Sequence, residues 1–163
     1  NIFKKNNPDK LFFVVILGSD QGRKIYKKKI QRLVEQYRLI HDVLFVDNCK
    51  KMPSAYKIAD IVVNCSIEPE AFGRVAVEAQ AMEKIILASD IGGSRETVID
   101  NKTGFLFKAG DASALSHKIS HIFELDETTL KSMGNEGRKN VIKKFNVEKM
   151  CFSTYSEYKK LIS

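Results

Sequence analysis

Short runs of apolar residues alternate along this chain with longer segments whose apolar residues recur at helical spacing. The clearest run is Leu11–Leu17 (LFFVVIL), which ends at Gly18 and has no polar residue to place on a solvent-facing side. A continuous apolar run of this kind predicts a parallel strand that is buried on both faces. Because parallel strands need helical crossovers, the alternation predicts an α/β fold with a doubly wound, mostly parallel sheet.

Five strands and six helices are predicted, and only helices are predicted from Asp111 onward. The predicted strands cover residues 11–17, 42–46, 60–65, 84–88 and 103–107. The predicted helices cover residues 22–39, 53–59, 73–82, 112–123, 127–145 and 147–161. Asp111 suits the N-cap of the helix at 112–123, whereas Gly134 and Gly137 weaken the helix at 127–145. Residues 89–96 are predicted to form a loop.

The start of the chain predicts a missing element. Residues 1–5 have the composition of a helix end, and the first apolar run follows them. A Rossmann-like half normally opens with a strand in the middle of its sheet. The first sheet strand is therefore expected to be absent from this chain, and the chain to be a fragment of a longer protein.

Length and composition predict one domain over residues 1–163 with the make-up of an ordinary soluble protein. The chain has 163 residues, of which 44% are apolar and 29% charged. Its net charge of +7 comes mainly from scattered lysines, and the basic run at 23–32 has apolar residues at helical spacing. This pattern favours the solvated face of an amphipathic helix over nucleic-acid binding.

Cysteines and hydropathy indicate the compartment. The three cysteines are odd in number and widely spaced, which predicts neither a disulfide framework nor a zinc site. Cys65 is expected to be a small core residue. No apolar run approaches ~18 residues and no signal peptide is visible, so a cytoplasmic location is expected.

The segment Ser66–Ala79 (SIEPEAFGRVAVEA) predicts an anion-binding site. It follows a predicted strand and passes through Pro and Gly into an Ala-rich helix, whose N-terminus offers unpaired N–H groups to a phosphate. Gly73 removes a side chain where the phosphate would approach. Glu70 and Glu78 bracket the junction, and eight helical residues would span ~12 Å. That span suits a diphosphate with a sugar at each end.

With two further blocks, the chain resembles the nucleotide-sugar-binding half of a known enzyme family. Residues 88–98 (ASDIGGSRETV) and 101–106 (NKTGFL) follow Ser66–Ala79 in the family's order and spacing. Two glutamates with seven residues between them, enclosing Phe72–Gly73, resemble the hallmark of group 1 retaining glycosyltransferases (glycosyltransferase family 4). These enzymes have the two-domain GT-B fold, and the resemblance extends over essentially the whole chain.

The resemblance implies a role for each residue of this segment. Glu70 is the catalytic candidate, contacting the donor sugar and giving electrostatic support rather than acting as a nucleophile. Glu78 would hold the ribose hydroxyls, and the N–H groups of residues 71–75 would bind the diphosphate. The donor- or nucleotide-binding candidates are Glu78, Ala71, Phe72, Gly73, Arg74, Val75, Gly18, Asp47, Gly92 and Gly93.

Four of these candidates lie outside the segment. Gly18 belongs to a glycine turn after the first predicted strand, where a plain strand-to-helix turn is an equal alternative. Asp47 occupies the position of a nucleobase contact, with a structural role as its alternative. Gly92 and Gly93 mark the turn that would line the donor cleft. No metal or other cofactor is expected, and the substrate would be a nucleotide-diphosphate sugar.

The implied function is transfer of a sugar from a nucleotide-diphosphate sugar to an acceptor with retention, in bacterial surface glycan (lipopolysaccharide or capsule) synthesis. The acceptor-binding N-terminal domain and the family's Arg–Lys pair would precede Asn1, so the isolated fragment is expected to bind without turnover. That domain would also contact an anionic membrane surface at the inner face of the cytoplasmic membrane. Two alternatives stay open: a non-catalytic nucleotide-binding module from a split or truncated gene, and another GT-B enzyme such as a nucleotide-sugar epimerase.

Some residues depart from the family pattern or fall outside it. At the end of the predicted helix 73–82 the family usually has glycine, where this chain has Glu83. Glutamate is less favourable than glycine in such a turn. Arg95 and Glu96 are expected to form a structural ion pair. His117 and His121 lie four apart on a predicted helix and are expected to be a surface pair rather than metal ligands.

Overall fold

A computed structural model describes residues 1–162 of the chain, which form five strands and eight helices. The strands are β1 Val14–Leu17, β2 Val43–Val46, β3 Ile61–Asn64, β4 Ile85–Ser89 and β5 Phe105–Phe107. The helices are α1 Ile2–Asn6, α2 Lys24–Gln36, α3 Met52–Ile58, α4 Arg74–Ala81, α5 Ser94–Thr97, α6 Ala112–Glu124, α7 Glu127–Lys144 and α8 Val147–Ile162. None of these helices has the length and hydropathy of a membrane span.

All pairing between the strands is parallel, which confirms the predicted α/β class. In one sheet β1 pairs with β2, and in the other the order is β3-β4-β5. The chain divides into two compact units, residues 1–55 and residues from Tyr56 onward, and each contains one of these sheets. The assignment of the whole chain to one nucleotide-sugar-binding domain stays a prediction, and Ser163 lies outside the described residues.

The core of the second unit forms around β4. This strand lies between β3 and β5, and every one of its residues is buried. The apolar cluster joins β4 and β5 to helices α6 and α7, and it consists of Ile85, Leu87, Phe105, Phe107, Ile122 and Met133. A strand with neighbours on both edges and helices against it is the setting that an uninterrupted apolar run requires.

The burial predicted for the first apolar run is wrong. Leu11 is 94% exposed and lies outside β1, which begins at Val14, and Val14 and Val15 are also exposed. The reason is that β1 has only β2 as a paired neighbour and that no residue of α2 is buried. Only residues 14–17 of the apolar run form a strand, and in this unit that strand lacks the covering layers of a central strand.

Two local predictions near the second sheet also need correction. Cys65 is exposed rather than in the core, because β3 ends at Asn64 and Cys65 already lies in the following loop. The segment predicted as loop 89–96 contains the start of α5, a helix of four residues. A helix this short has too few residues to show helical periodicity in the sequence.

Helix α7 runs without interruption through Gly134 and Gly137. A Cβ atom at Gly134 would lie 2.4 Å from the carbonyl oxygen of Glu83, just after α4. A Cβ at Gly137 would lie 3.1 Å from Cγ of Gln80 in α4. The two glycines therefore cost helix propensity but allow α7 to pack closely against α4 and the turn after it.

The turn after α4 carries the departure noted at Glu83. This residue takes a left-handed conformation with φ of +58°, where glycine would be unstrained. Arg138 of α7 donates a hydrogen bond to the carbonyl of Ala81, and its Nε lies 3.6 Å from a carboxylate oxygen of Glu83. A side chain of α7 thus supplies a hydrogen-bond donor to a carbonyl group at the C-terminal end of α4.

We expect Gly134→Ala to destabilise the protein by about 1–3 kcal/mol, because the added methyl group meets a backbone carbonyl that cannot rotate away. At an open helix position the same change would stabilise by roughly 0.5–1 kcal/mol. Asn135→Ala, at the exposed neighbouring position, is the matched control and should be neutral or slightly stabilising. Urea unfolding measures both effects, and a higher midpoint for Gly134→Ala would contradict the close packing.

Candidate functional site

The N-terminus of α4 lies at the carboxyl end of the second sheet. β3 ends at Asn64, and a loop leads to Gly73, which is the N-cap of α4 with a left-handed φ of +78°. No side chain caps this N-terminus. The N–H groups of the first turn, including those of Arg74 and Val75, therefore point to the open end of the helix, where the helix dipole favours an anion.

Gly73 is required by its backbone conformation rather than by lack of space. The nearest atoms to a Cβ at this position would be the Glu70 carboxyl carbon and the Ser94 nitrogen, both at 3.7 Å, which is ordinary contact. The left-handed φ is what a larger residue would find costly. It directs the chain from the loop into α4.

The carboxylate of Glu70 is held by the last residue of β3. The side-chain amide of Asn64 donates to Oε1 of Glu70 at 2.5 Å, and the hydroxyl of Ser66 donates to Oδ1 of Asn64 at 3.0 Å. A hydrogen-bonded chain thus leads from the loop through the strand end to Glu70. Asn64 was not among the predicted site residues, although a polar residue at the end of an apolar strand is a visible signal in the sequence.

Gly92 and Gly93 lie directly against the Glu70 loop. The N–H of Gly93 donates to the carbonyl of Glu70 at 2.8 Å. A Cβ at Gly92 would lie 2.6 Å from that carbonyl oxygen, and a Cβ at Gly93 would lie 2.5 Å from the carbonyl carbon of Phe72. The two glycines support the loop through backbone contact, and the donor contact suggested for them stays a prediction.

Glu78, in the second turn of α4, is bound at both carboxylate oxygens. The hydroxyl of Tyr56 donates to Oε2 at 2.9 Å, and the guanidinium of Arg74 donates to Oε1 at 2.9 Å. The Glu78 side chain is 34% exposed, so a ligand can still reach it. Arg74 was predicted for its backbone N–H, but its side chain also takes part by pairing with Glu78 one helical turn away.

Tyr56 is the residue at this site that sequence analysis did not connect to Glu78. It is buried, with 6% of its surface exposed. Burial raises the pKa of the Tyr56 hydroxyl well above its usual value, and the hydrogen bond to Glu78 raises it further. The hydroxyl is therefore a neutral donor at physiological pH.

A buried polar network lies beneath the loops. The hydroxyl of Thr97 donates to the carbonyl of Gly93 at 3.0 Å. The carbonyl of Thr97 accepts from the side-chain amides of Gln80 at 2.9 Å and Asn140 at 3.4 Å. Since Gln80 lies in α4 and Asn140 in α7, the network fixes α5 and the turn at Gly92 and Gly93 to both longer helices.

Two of the remaining candidates in the loop are exposed. Ala71 and Phe72 are both accessible, and the ring of Phe72 packs edge-on against Phe145 with 5.5 Å between ring centres. Glu68, which competes with Glu70 by position, is exposed as well. Ala71, Phe72, Arg74 and Val75 are thus exposed at this end of the site, whereas Gly73 is buried.

Gly18 and Asp47 belong to the first unit. The N–H of Gly18 donates to the carbonyl of Val46 at 2.9 Å, and Asp47 accepts from the Lys27 ammonium at 2.5 Å. Both residues have structural partners within their own unit. Their proposed nucleotide contacts stay predictions.

The expected Arg95–Glu96 pair is wrong. The guanidinium of Arg95 donates to the carboxylate of Asp90 at 2.7 Å and to its backbone carbonyl at 3.0 Å. Adjacent residues of a helix project in different directions, so Arg95 pairs across the preceding turn instead. His117 and His121 are exposed.

Residues 2–140 match the family described as "Glycosyl transferases group 1", and the chain belongs to this family. One relative is the capsular polysaccharide biosynthesis glycosyltransferase CapM of Staphylococcus aureus, 38% identical over 77 residues, which are 47% of this chain and 20% of the relative. The chain therefore spans only part of the length of such relatives.

Solved structures show the same fold. A glycosyltransferase from Rickettsia africae has a TM-score of 0.91 at 30% identity, with 99% of this chain and 42% of that chain covered. Anabaena HepE in complex with UDP-glucose has a TM-score of 0.83 at 24% identity, with 90% of this chain and 41% of that chain covered. The predicted GT-B type of α/β architecture is confirmed.

We expect Gly93→Ala to displace the Glu70 loop, because the new methyl group would overlap the backbone of Phe72. The cost should be about 1–3 kcal/mol of stability. Amide NMR shifts and hydrogen exchange of residues 70–73 report the displacement. Gly110→Ala is the control, since φ is +75° there and nothing lies within 4 Å.

The control should show a backbone cost of about 1 kcal/mol without changes in residues 70–73. Unaltered amide shifts of residues 70–73 in Gly93→Ala would refute the supporting role of the turn at Gly92 and Gly93.

Proposed function

We propose that this chain is the donor-binding part of a retaining glycosyltransferase and binds a nucleotide-diphosphate sugar at the N-terminus of α4. The observation that carries the proposal is the uncapped helix N-terminus between two carboxylates, Glu70 and Glu78, each oriented by a neighbouring side chain. Membership in the group 1 family supports the reaction class. The binding of UDP-glucose by Anabaena HepE, a protein of the same fold, supports the class of ligand.

Each part of the site has a task in this proposal. The N–H groups of Arg74 and Val75 at the start of α4 bind the diphosphate, since they lack an intrahelical partner and lie at the positive end of the helix dipole. Glu78 accepts hydrogen bonds from the ribose hydroxyls. Glu70 accepts hydrogen bonds from the sugar that is transferred, at the opposite end of the diphosphate.

The same groups favour the transfer step. The acceptor oxygen forms a bond to the anomeric carbon on the face from which the diphosphate leaves, the bond from that carbon to the diphosphate oxygen breaks, and the acceptor proton passes to the leaving diphosphate. Negative charge grows on the leaving diphosphate, where preorganised N–H groups stabilise it more strongly than the ground state. Glu70 supports the positive charge that develops on the sugar ring. In this proposal the acceptor domain and additional cations come from the rest of a longer enzyme.

We further propose that the product is a bacterial surface glycan and that the enzyme works in the cytoplasm at the membrane face. The support is the similarity to CapM, a capsular polysaccharide biosynthesis glycosyltransferase.

No metal ion is assigned a role in donor binding. Accordingly, a chelator such as EDTA should leave nucleotide affinity unchanged.

The 163-residue chain should bind a nucleoside diphosphate, and Glu78→Gln should weaken binding by roughly tenfold or more. The reason is that the neutral amide loses a charged acceptor for the ribose hydroxyls, a hydrogen bond worth about 1.5–3 kcal/mol. Calorimetric titration with UDP, GDP and ADP measures this loss and identifies the base. Glu68 is an exposed carboxylate in the loop before α4. Glu68→Gln is therefore the matched control and should bind like the wild type.

No binding of any of the three nucleotides at millimolar concentration would refute the proposal. An equal loss in Glu68→Gln and Glu78→Gln would reduce the effect to net charge. Binding in the isolated chain without turnover in the longer protein would favour the non-catalytic module.

Glu70→Gln should separate sugar binding from nucleotide binding. We expect its affinity for UDP to stay within about twofold of the wild type, whereas its affinity for UDP-glucose should fall by roughly fivefold or more. Competition titration of the two ligands gives this ratio. A parallel loss for both ligands would contradict the assignment of Glu70 to the sugar end of the site.

A further inference from the structure

The hydrogen bonds at Glu78 leave a defined set of acceptor positions. A carboxylate offers about four lone-pair positions over its two oxygens. Tyr56 occupies one on Oε2, and Arg74 occupies one on Oε1. One position on each oxygen then remains for a ligand. Two adjacent acceptors match two adjacent O–H donors, which is the arrangement of a cis-diol.

Tyr56 and Arg74 do not contribute equally to this arrangement. The Arg74 side chain is 84% exposed, so its ion pair is in exchange with water and restrains the carboxylate weakly. Tyr56 is 6% exposed and is the buried residue of α3. Its hydroxyl position is set by packing, and the carboxylate oxygen must meet it there. The orientation of Glu78 therefore depends on Tyr56.

We propose that Tyr56 is a positioning residue that holds the Glu78 carboxylate so that it selects ribonucleotides over 2′-deoxyribonucleotides. This inference rests on the proposed function, in which Glu78 receives the ribose. A ribose offers both hydroxyls of the cis-diol, whereas a 2′-deoxyribose leaves one of the two acceptors without a donor. An unfilled acceptor at a site built for a hydroxyl is what discriminates between such ligands.

The buried state of Tyr56 keeps this arrangement independent of pH in the physiological range. Burial raises the pKa of its hydroxyl, and the adjacent Glu78 carboxylate adds to the shift, so the proton stays on the tyrosine oxygen. Tyr56 therefore donates to Glu78 throughout. The Tyr56 hydroxyl also occupies an acceptor position on Oε2 of Glu78. Without this donor, the carboxylate would rotate to bond that position to water.

The test compares UDP with 2′-deoxy-UDP in titrations of the 163-residue chain. The wild type should prefer UDP by roughly tenfold, the equivalent of one hydrogen bond to a charged group. Tyr56→Phe removes only the hydroxyl and should reduce this preference to about twofold, mainly by weakening UDP. Tyr155→Phe, at an exposed position of α8, is the matched control and should keep the wild-type ratio.

The ratio of the two affinities separates positioning from a structural role, because partial unfolding would weaken both nucleotides equally. Arg74→Ala, an exposed change that leaves Tyr56 in place, provides a second variant if Tyr56→Phe does not fold. In Arg74→Ala, the logarithm of the ratio of the affinities for UDP and 2′-deoxy-UDP should be at least half of the wild-type value. A wild-type ratio in Tyr56→Phe, or loss of the ratio in Arg74→Ala, would overturn the inference.

The same titrations distinguish a failure of the proposed function from a failure of the role of Tyr56. If the wild type binds neither nucleotide, both proposals are refuted. If it binds UDP and 2′-deoxy-UDP equally well, nucleotide binding stands and the role of Tyr56 is refuted.

Discussion

The backbone contact between the glycine turn and the Glu70 loop is the constraint on which the site depends. Gly92 and Gly93 lie so close to residues 69–72 that a methyl group on either would overlap the backbone. The hydrogen bond from Gly93 to the Glu70 carbonyl adds direction to this contact. Beneath it, Thr97 connects the turn to α4 and α7 through buried hydrogen bonds. The loop that carries Glu70 is therefore held against a core rather than left free.

On this support, the two carboxylates are oriented by different elements. Asn64 at the end of β3 holds Glu70, and Tyr56 of α3 holds Glu78. Between them the N-terminus of α4 is uncapped. Groups that are fixed before a ligand arrives lose little freedom when it binds, and this preorganisation is the main source of electrostatic stabilisation at such sites. The spacing of the two glutamates becomes useful only because separate neighbours hold each one.

Sequence patterns predicted much of this arrangement. The β4 run, the helix after Gly73 and the N-cap at Asp111 all follow from apolar periodicity and capping preferences, and each lies where predicted. These properties depend on residues a few positions apart in the chain. Burial of the Leu11–Leu17 run and of Cys65 was predicted wrongly, because exposure depends on which distant elements cover a residue.

The sequence by itself determined the parallel α/β class, the position of the helix N-terminus and the pair Glu70 and Glu78 beside it. Only the tertiary structure decided which side chains orient those carboxylates, and that Gly92 and Gly93 contact the backbone of the Glu70 loop. Tyr56 lies 22 residues from Glu78 in the chain, and no local pattern joins them. The physical reason is that periodicity and capping act within one element, whereas hydrogen-bond partners and close contacts are set by the packing of several.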